Sequence, residues 1–101
     1  MPNYARGDIS MNVFQKAVKH YGKEAQLRQL QEECAELIVA ISHYLRNNSD
    51  EHKENLLEEI ADLKVMFEQL PFILENGDDM VRISKIRHDK IVRLRKRIKQ
   101  L

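Results

Sequence analysis

EECAELIVAISHYLRNNSDEHKENLLEEIAD, residues 32–62, decides how this chain is read. Two helix-like runs flank Asn47-Asn48, a turn signal followed by the cap-capable Ser49 and Asp50. Before the turn, Leu27, Leu30, Cys34, Leu37, Ile41 and Tyr44 step by 3, 4, 3, 4, 3. After it, Leu56, Ile60, Leu63, Phe67, Leu70 and Leu74 step by 4, 3, 4, 3, 4. Both rhythms are narrow apolar seams of helices packed nearly antiparallel. A helical hairpin follows, with Cys34 read as a core residue.

Working outward, Asp8 or Ser10 caps a first helix ending near Tyr21-Gly22, and the second helix spans residues 23–46. The third helix meets Pro71, which lacks a donor and clashes with the preceding turn, so it kinks or ends near Leu70. Asn76-Gly77 closes that segment, and Asp78 or Asp79 caps a fourth helix whose seam is Ile91, Leu94, Ile98 and Leu101. The expected architecture is all-α: one domain over residues 1–101, a bundle of four helices per chain around a central antiparallel hairpin. At 101 residues the chain buries a modest fraction of its surface, so completion by oligomerisation is expected.

Three Gly, two Pro and no Trp argue against a turn-rich β fold. A single cysteine excludes an internal disulfide framework and fits a reducing compartment. No run approaches the ~18 apolar residues of a membrane span, and residues 1–10 lack a signal-peptide core. A cytoplasmic protein is expected. The net charge is +1, but residues 24–76 hold twelve of the sixteen acids, and residues 82–99 hold nine of the seventeen Lys and Arg. The basic tail suits either nucleic acid or the balancing of an acidic, metal-loaded site.

The acids of the hairpin are arranged rather than scattered. At ~100° per residue, Glu33 and Glu36 sit roughly 60° and 120° to one side of the second helix's seam, and Glu59 and Asp62 take the same offsets on the third. Antiparallel helices are related by a two-fold axis, so equal offsets in one sense put both pairs on one flank. Their heights agree, because both pairs are centred about the midpoint of Asn47 and Asn48. Four converging carboxylates repel unless a cation joins them. Oxygen-only ligands suit Mg²⁺, with Mn²⁺ as a substitute, and Mg²⁺ shares its shell with substrate phosphates. A solvated acidic helix face is the plainer alternative. The Glu-x-x-His pairs of di-iron bundles do not occur.

Glu32-Glu33-Cys34-Ala35-Glu36, then 22 residues, then Glu59-Ile60-Ala61-Asp62 reads EExxE…ExxD. This resembles the signature of the MazG-like all-α nucleoside triphosphate pyrophosphohydrolases. HYGKEAQLRQLQEECAELIVAI, LLEEIADLKVMFEQL and KIVRLRKRI extend the likeness to small stand-alone, phage-type members over about residues 10–100. The resemblance implies Mg²⁺-dependent hydrolysis of a nucleoside or deoxynucleoside triphosphate between the α and β phosphates, giving a monophosphate and pyrophosphate. It implies Glu33, Glu36, Glu59 and Asp62 as metal ligands, with Glu33 or Glu36 accepting the proton of the attacking water. Glu32 points more outward, with a role as orienting group or second-metal ligand.

Lys85, Lys90 and Arg93 are candidates to balance the polyphosphate, and Gln26, which matches a polar position in similar proteins, is a candidate to touch nucleotide. Asn12 and Phe14 are candidates for a base pocket. His20, His43, His52 and His88 lack ligand spacing and are read as surface residues. The resemblance also implies a homodimer or homotetramer. The competing reading is a non-enzymatic helical module that binds nucleic acid or a protein partner through the basic C-terminal helix. The apolar seam on that helix makes nucleic acid the lesser of its partners, since the helix must also pack.

Overall fold

In a computed structural model, which describes residues 11–100, the chain is all-α. Helix α1 is Val13–Tyr21, α2 Lys23–Arg46, α3 Asp50–Phe67, α4 Leu70–Leu74 and α5 Gly77–Lys99. There are thus four main helices, with a short α4 between the third and the last.

Local chemistry accounts for the boundaries. Asn12 caps α1, its side chain accepting from the Gln15 amide at 2.8 Å. That gives the Asn12 Oδ1 a structural role at the cap. Asp8 and Ser10, the expected caps, lie outside the described residues. Gly22 separates α1 from α2 at φ 94°, a conformation that side chains disfavour. Ser49 caps α3, accepting from the His52 amide at 3.2 Å. Asn76, not Asp78 or Asp79, caps α5; its Oδ1 accepts from the Asp78 amide at 3.0 Å. The two aspartates sit in the first turn instead, where they meet the positive end of the helix.

The expected kink is a full break. α3 ends at Phe67, and Pro71 falls in the first turn of α4, where its missing donor costs nothing. Gln69 at this junction is buried; its Oε1 accepts from the buried Gln26 Nε2 at 2.7 Å, and its own amide points to Met66 Sδ at 3.6 Å. α4 closes on Glu75 in the left-handed region, φ 61°, and Glu75 pairs with Lys23 at the start of α2.

α2 and α3 form the expected hairpin, but its seam is rotated. Gln26, Leu30, Glu33, Leu37, Ala40 and Tyr44 on α2 are buried or half-buried, as are His52, Leu56, Glu59, Leu63 and Met66 on α3. On the helical wheel this line is centred within about 20° of Glu33 and Glu59. Leu27, Ile41, Ile60, Phe67 and Leu74, expected in the seam, are exposed within the chain. Cys34 is half-buried at its edge. Each helix therefore carries two apolar stripes, one closing the hairpin and one left open.

α5 follows the same logic further out. It contains no buried residue; Ile91 is half-buried, whereas Leu94 and Ile98 are exposed, so the expected packing of its seam does not occur within the chain. Leu101 is outside the described residues. The radius of gyration is 18.1 Å, against about 13 Å for a compact chain of this length. No helix of the described residues is long and apolar enough to cross a membrane.

Candidate metal centre

The rotation of the seam brings acids into the hairpin interface. Glu33 of α2 and Glu59 of α3 stand among Leu30, Leu37, Leu56 and Leu63 and are only half-buried themselves. One carboxylate oxygen from each of Glu33, Glu59 and Asp62 lies within 4.8 Å of the others. Helix geometry explains the trio: Asp62 follows Glu59 by one turn on α3, and Glu33 is its antiparallel counterpart on α2. His43 and His52 confirm the register, with ring centroids 5.6 Å apart. They are equidistant in sequence from the turn midpoint, as Glu33 and Asp62 are, and as Glu36 and Glu59 are.

Two oxygens of these residues are in an unusual state. Glu33 Oε2 and Glu59 Oε2 are shielded from solvent and have no hydrogen-bond partner. Glu33 Oε1 accepts from Gln29 Nε2 at 2.9 Å. The described ion pairs lie elsewhere, Lys23 with Glu75 and Arg28 with Glu24. Burial pushes the Glu33 carboxyl above the ordinary carboxylate range, partly offset by the Gln29 hydrogen bond, with Glu36 and Asp62 adding repulsion. Burial also raises Glu59, reinforced by the charges of Glu36, Asp62 and Glu33. Orphaned buried acceptors cost stability unless a donor or cation reaches them. An all-oxygen, all-anionic cluster fits a hard divalent cation such as Mg²⁺ or Mn²⁺.

Of the expected ligands, Glu33, Glu59 and Asp62 come together. Glu36 is exposed at the rim and bears on both half-buried glutamates through its charge, but lies outside the three-oxygen group. Glu32 is exposed on the outer face. Gln26 is on the Glu33 face two turns earlier, about 10 Å along the axis; it is 8% exposed, with its amide committed to Gln69. Lys85, Lys90 and Arg93 are exposed on α5, which packs against α4 and not against the acidic flank. A broad depression near Lys90 and Arg93 is lined by α5 alone.

The sequence reading missed the histidine pair. His43 and His52 are half-buried against each other, and His52 Nδ1 lies 2.7 Å from the Asn47 carbonyl oxygen. A carbonyl only accepts, so His52 Nδ1 carries the proton. The equal spacing of these histidines about the turn was the available signal. His20 packs edge-on against Tyr21, and His88 is exposed, as expected for surface residues. Phe14 is half-buried on α1. No protein-family model matches this sequence, no curated protein is detectably similar to it, and no solved structure matches it.

Proposed function

We propose that the chain is a Mg²⁺-dependent nucleoside triphosphate pyrophosphohydrolase of MazG-like type. The observation that carries this reading is the pair of solvent-shielded, unpartnered oxygens, Glu33 Oε2 and Glu59 Oε2, on residues of two helices whose carboxylates cluster with that of Asp62. A solvated acidic face would leave its oxygens in water. The resemblance of the EExxE…ExxD motif to that of the MazG-like enzymes suggests the reaction class.

Glu33, Glu59 and Asp62 would hold the ion. Its chemistry, when bound, is withdrawal of charge from phosphate oxygens as the anhydride breaks. Glu36, exposed beside the cluster and outside the three-oxygen group, would accept a proton from the attacking water. The water oxygen bonds to phosphorus, the α–β anhydride bond breaks, and monophosphate and pyrophosphate depart. Charge balance for the polyphosphate has to come from cations that fold or associate against the acidic flank, because α5 does not lie there within one chain.

Pyrophosphate release over all canonical and several modified nucleotides, with Mg²⁺ and with Mn²⁺, tests the reading. At least one nucleotide should be cleaved, and Glu59→Ala should abolish cleavage. Wild-type protein inert across the panel would end the proposal. The alternative, a binding module, is supported by the exposure of the basic α5. It requires phosphate-driven binding with a steep salt dependence, and a flat response removes it.

A further inference from the structure

At the turn end of the hairpin, His43 of α2 and His52 of α3 meet across the helix interface, their ring centroids 5.6 Å apart. Both are half-buried, and both line one open depression with Asn55 and the exposed Glu51, Glu54 and Glu58. His43 follows Glu36 by two helical turns and His52 precedes Glu59 by two, which puts the pair about 10 Å along the hairpin from the acidic residues. Metal ions that share one reaction stand about 3.5–4 Å apart. Whatever these histidines hold is therefore separate from the acidic centre.

His52 is prepared as a ligand. Its Nδ1 lies 2.7 Å from the Asn47 carbonyl oxygen, which fixes the proton on that nitrogen. Nε2 keeps its lone pair, and the ring is held in one orientation. A backbone carbonyl behind one nitrogen is a common support of a metal-bound imidazole. The His43 ring has no hydrogen-bond partner among the described residues. The spacing of the two rings also fits a shared ion. A Zn–N bond of about 2.05 Å, with about 1.15 Å more to the ring centre, sets each centroid about 3.2 Å from the ion. Two such rings 5.6 Å apart subtend about 120° at the ion, close to the tetrahedral angle.

The rim supplies the rest. Glu51, Glu54 and Glu58 add negative potential at this end, and their exposed side chains can turn inward. Among the described residues only the acidic cluster already gathers three ligand atoms, so the third ligand here comes from such a rotation. Two imidazoles, one carboxylate and a water form an established zinc set.

We propose that His43 and His52 form a second cation site, for a borderline divalent transition ion of the zinc class, completed by one rim glutamate and water. Imidazole nitrogen selects Zn²⁺, Cu²⁺ or Ni²⁺, whereas Mg²⁺ takes oxygen ligands, so the two centres differ in chemistry as well as in place. An ion with one histidine from each helix ties α2 to α3 beside the turn. This site does not rest on the pyrophosphohydrolase reading.

The test is calorimetric titration with Zn²⁺ at neutral pH, in excess Mg²⁺, on the wild type, His43→Gln, His52→Gln and Glu33→Gln. The wild type should bind one Zn²⁺ per chain. Each histidine variant should weaken that binding by more than about tenfold, since losing a ligand costs at least as much as losing the hydrogen bond behind it. Glu33→Gln should leave it unchanged. No Zn²⁺ binding by the wild type, equal affinity in the histidine variants, or loss in Glu33→Gln overturns the proposal; the histidines then only pack, or the ion sits among the acids. If a histidine variant does not fold, imidazole NMR of the wild type decides. One equivalent of Zn²⁺ should shift the signals of two of the four histidines and leave those of the exposed His20 and His88 in place. A shift of all four, or of none, is equally fatal.

Discussion

Glu33→Gln is expected to move stability and ion binding in opposite directions. The Glu33 carboxylate has an oxygen within 4.8 Å of those of Glu59 and Asp62, and its Oε2 is shielded and unpartnered. An amide of the same size removes the charge but keeps an oxygen to accept from Gln29. The centre opens to solvent at its Asp62 edge, so the water-like end of the dielectric range applies, and the relief of repulsion is about 1 kcal/mol. For a chain of this size that raises the apo melting temperature by about 4 °C or slightly more. Wild-type protein at a Mg²⁺ concentration a hundred times its Kd should gain about 2.7 kcal/mol by mass action. The variant should gain almost nothing and should not release pyrophosphate. Thermal melts with and without Mg²⁺, run on both proteins, read all four values. An apo variant less stable than wild type, with an undiminished Mg²⁺ shift, would refute the reasoning, because the carboxylate would then be a structural acceptor rather than a suppressed charge.

The pH dependence follows from the same strain. Glu33 and Glu59 both have folded-state pKa values raised above the ordinary 4.5, so the folded state binds protons more tightly than the unfolded chain. From this centre, apo stability should rise as pH falls from neutrality through the raised values toward 4.5, and saturating Mg²⁺ should cancel that gain; urea melts across the range check it. Gln69→Ala should cost about 1–3 kcal/mol in urea unfolding, because it strands the buried Gln26 amide donor. Replacing Gln26 and Gln69 together by Leu should cost less than the single change. Ser49→Ala should cost about 1 kcal/mol through the lost cap on His52 N, with little effect on cleavage measured below the melting transition.

The hairpin was legible because its signals are local and agree: a turn pair, a cap and sustained 3–4 spacing. The grouping of Glu33, Glu59 and Asp62 was legible for the same reason, since i, i+3 geometry and the turn position fix both side and height; the exclusion of Glu36 from that group was not. The rotation of the seam was not. Leu27, Ile41, Ile60 and Phe67 are as apolar as Leu30, Leu37, Leu56 and Leu63, and periodicity alone does not say which stripe meets the sister helix. The cap of α5 failed for want of discrimination, because Asn76, Asp78 and Asp79 are all capable and stand within four positions. The placement of Lys85, Lys90 and Arg93 away from the acidic flank within one chain was not legible for a third reason. The direction in which α5 leaves α4 depends on backbone angles at Glu75 and Asn76, which carry no periodic signature.

The three residues 47–49 that join α2 to α3 also set an order of events. Both halves of the acidic centre lie on adjacent rods joined by a very short link, so assembling it requires little loop closure and few distant encounters. The proposed cation seat would be complete once this one pair zips, ahead of any pairing of the open apolar stripes. Ion affinity should therefore stay constant as the protein is diluted, even where turnover declines.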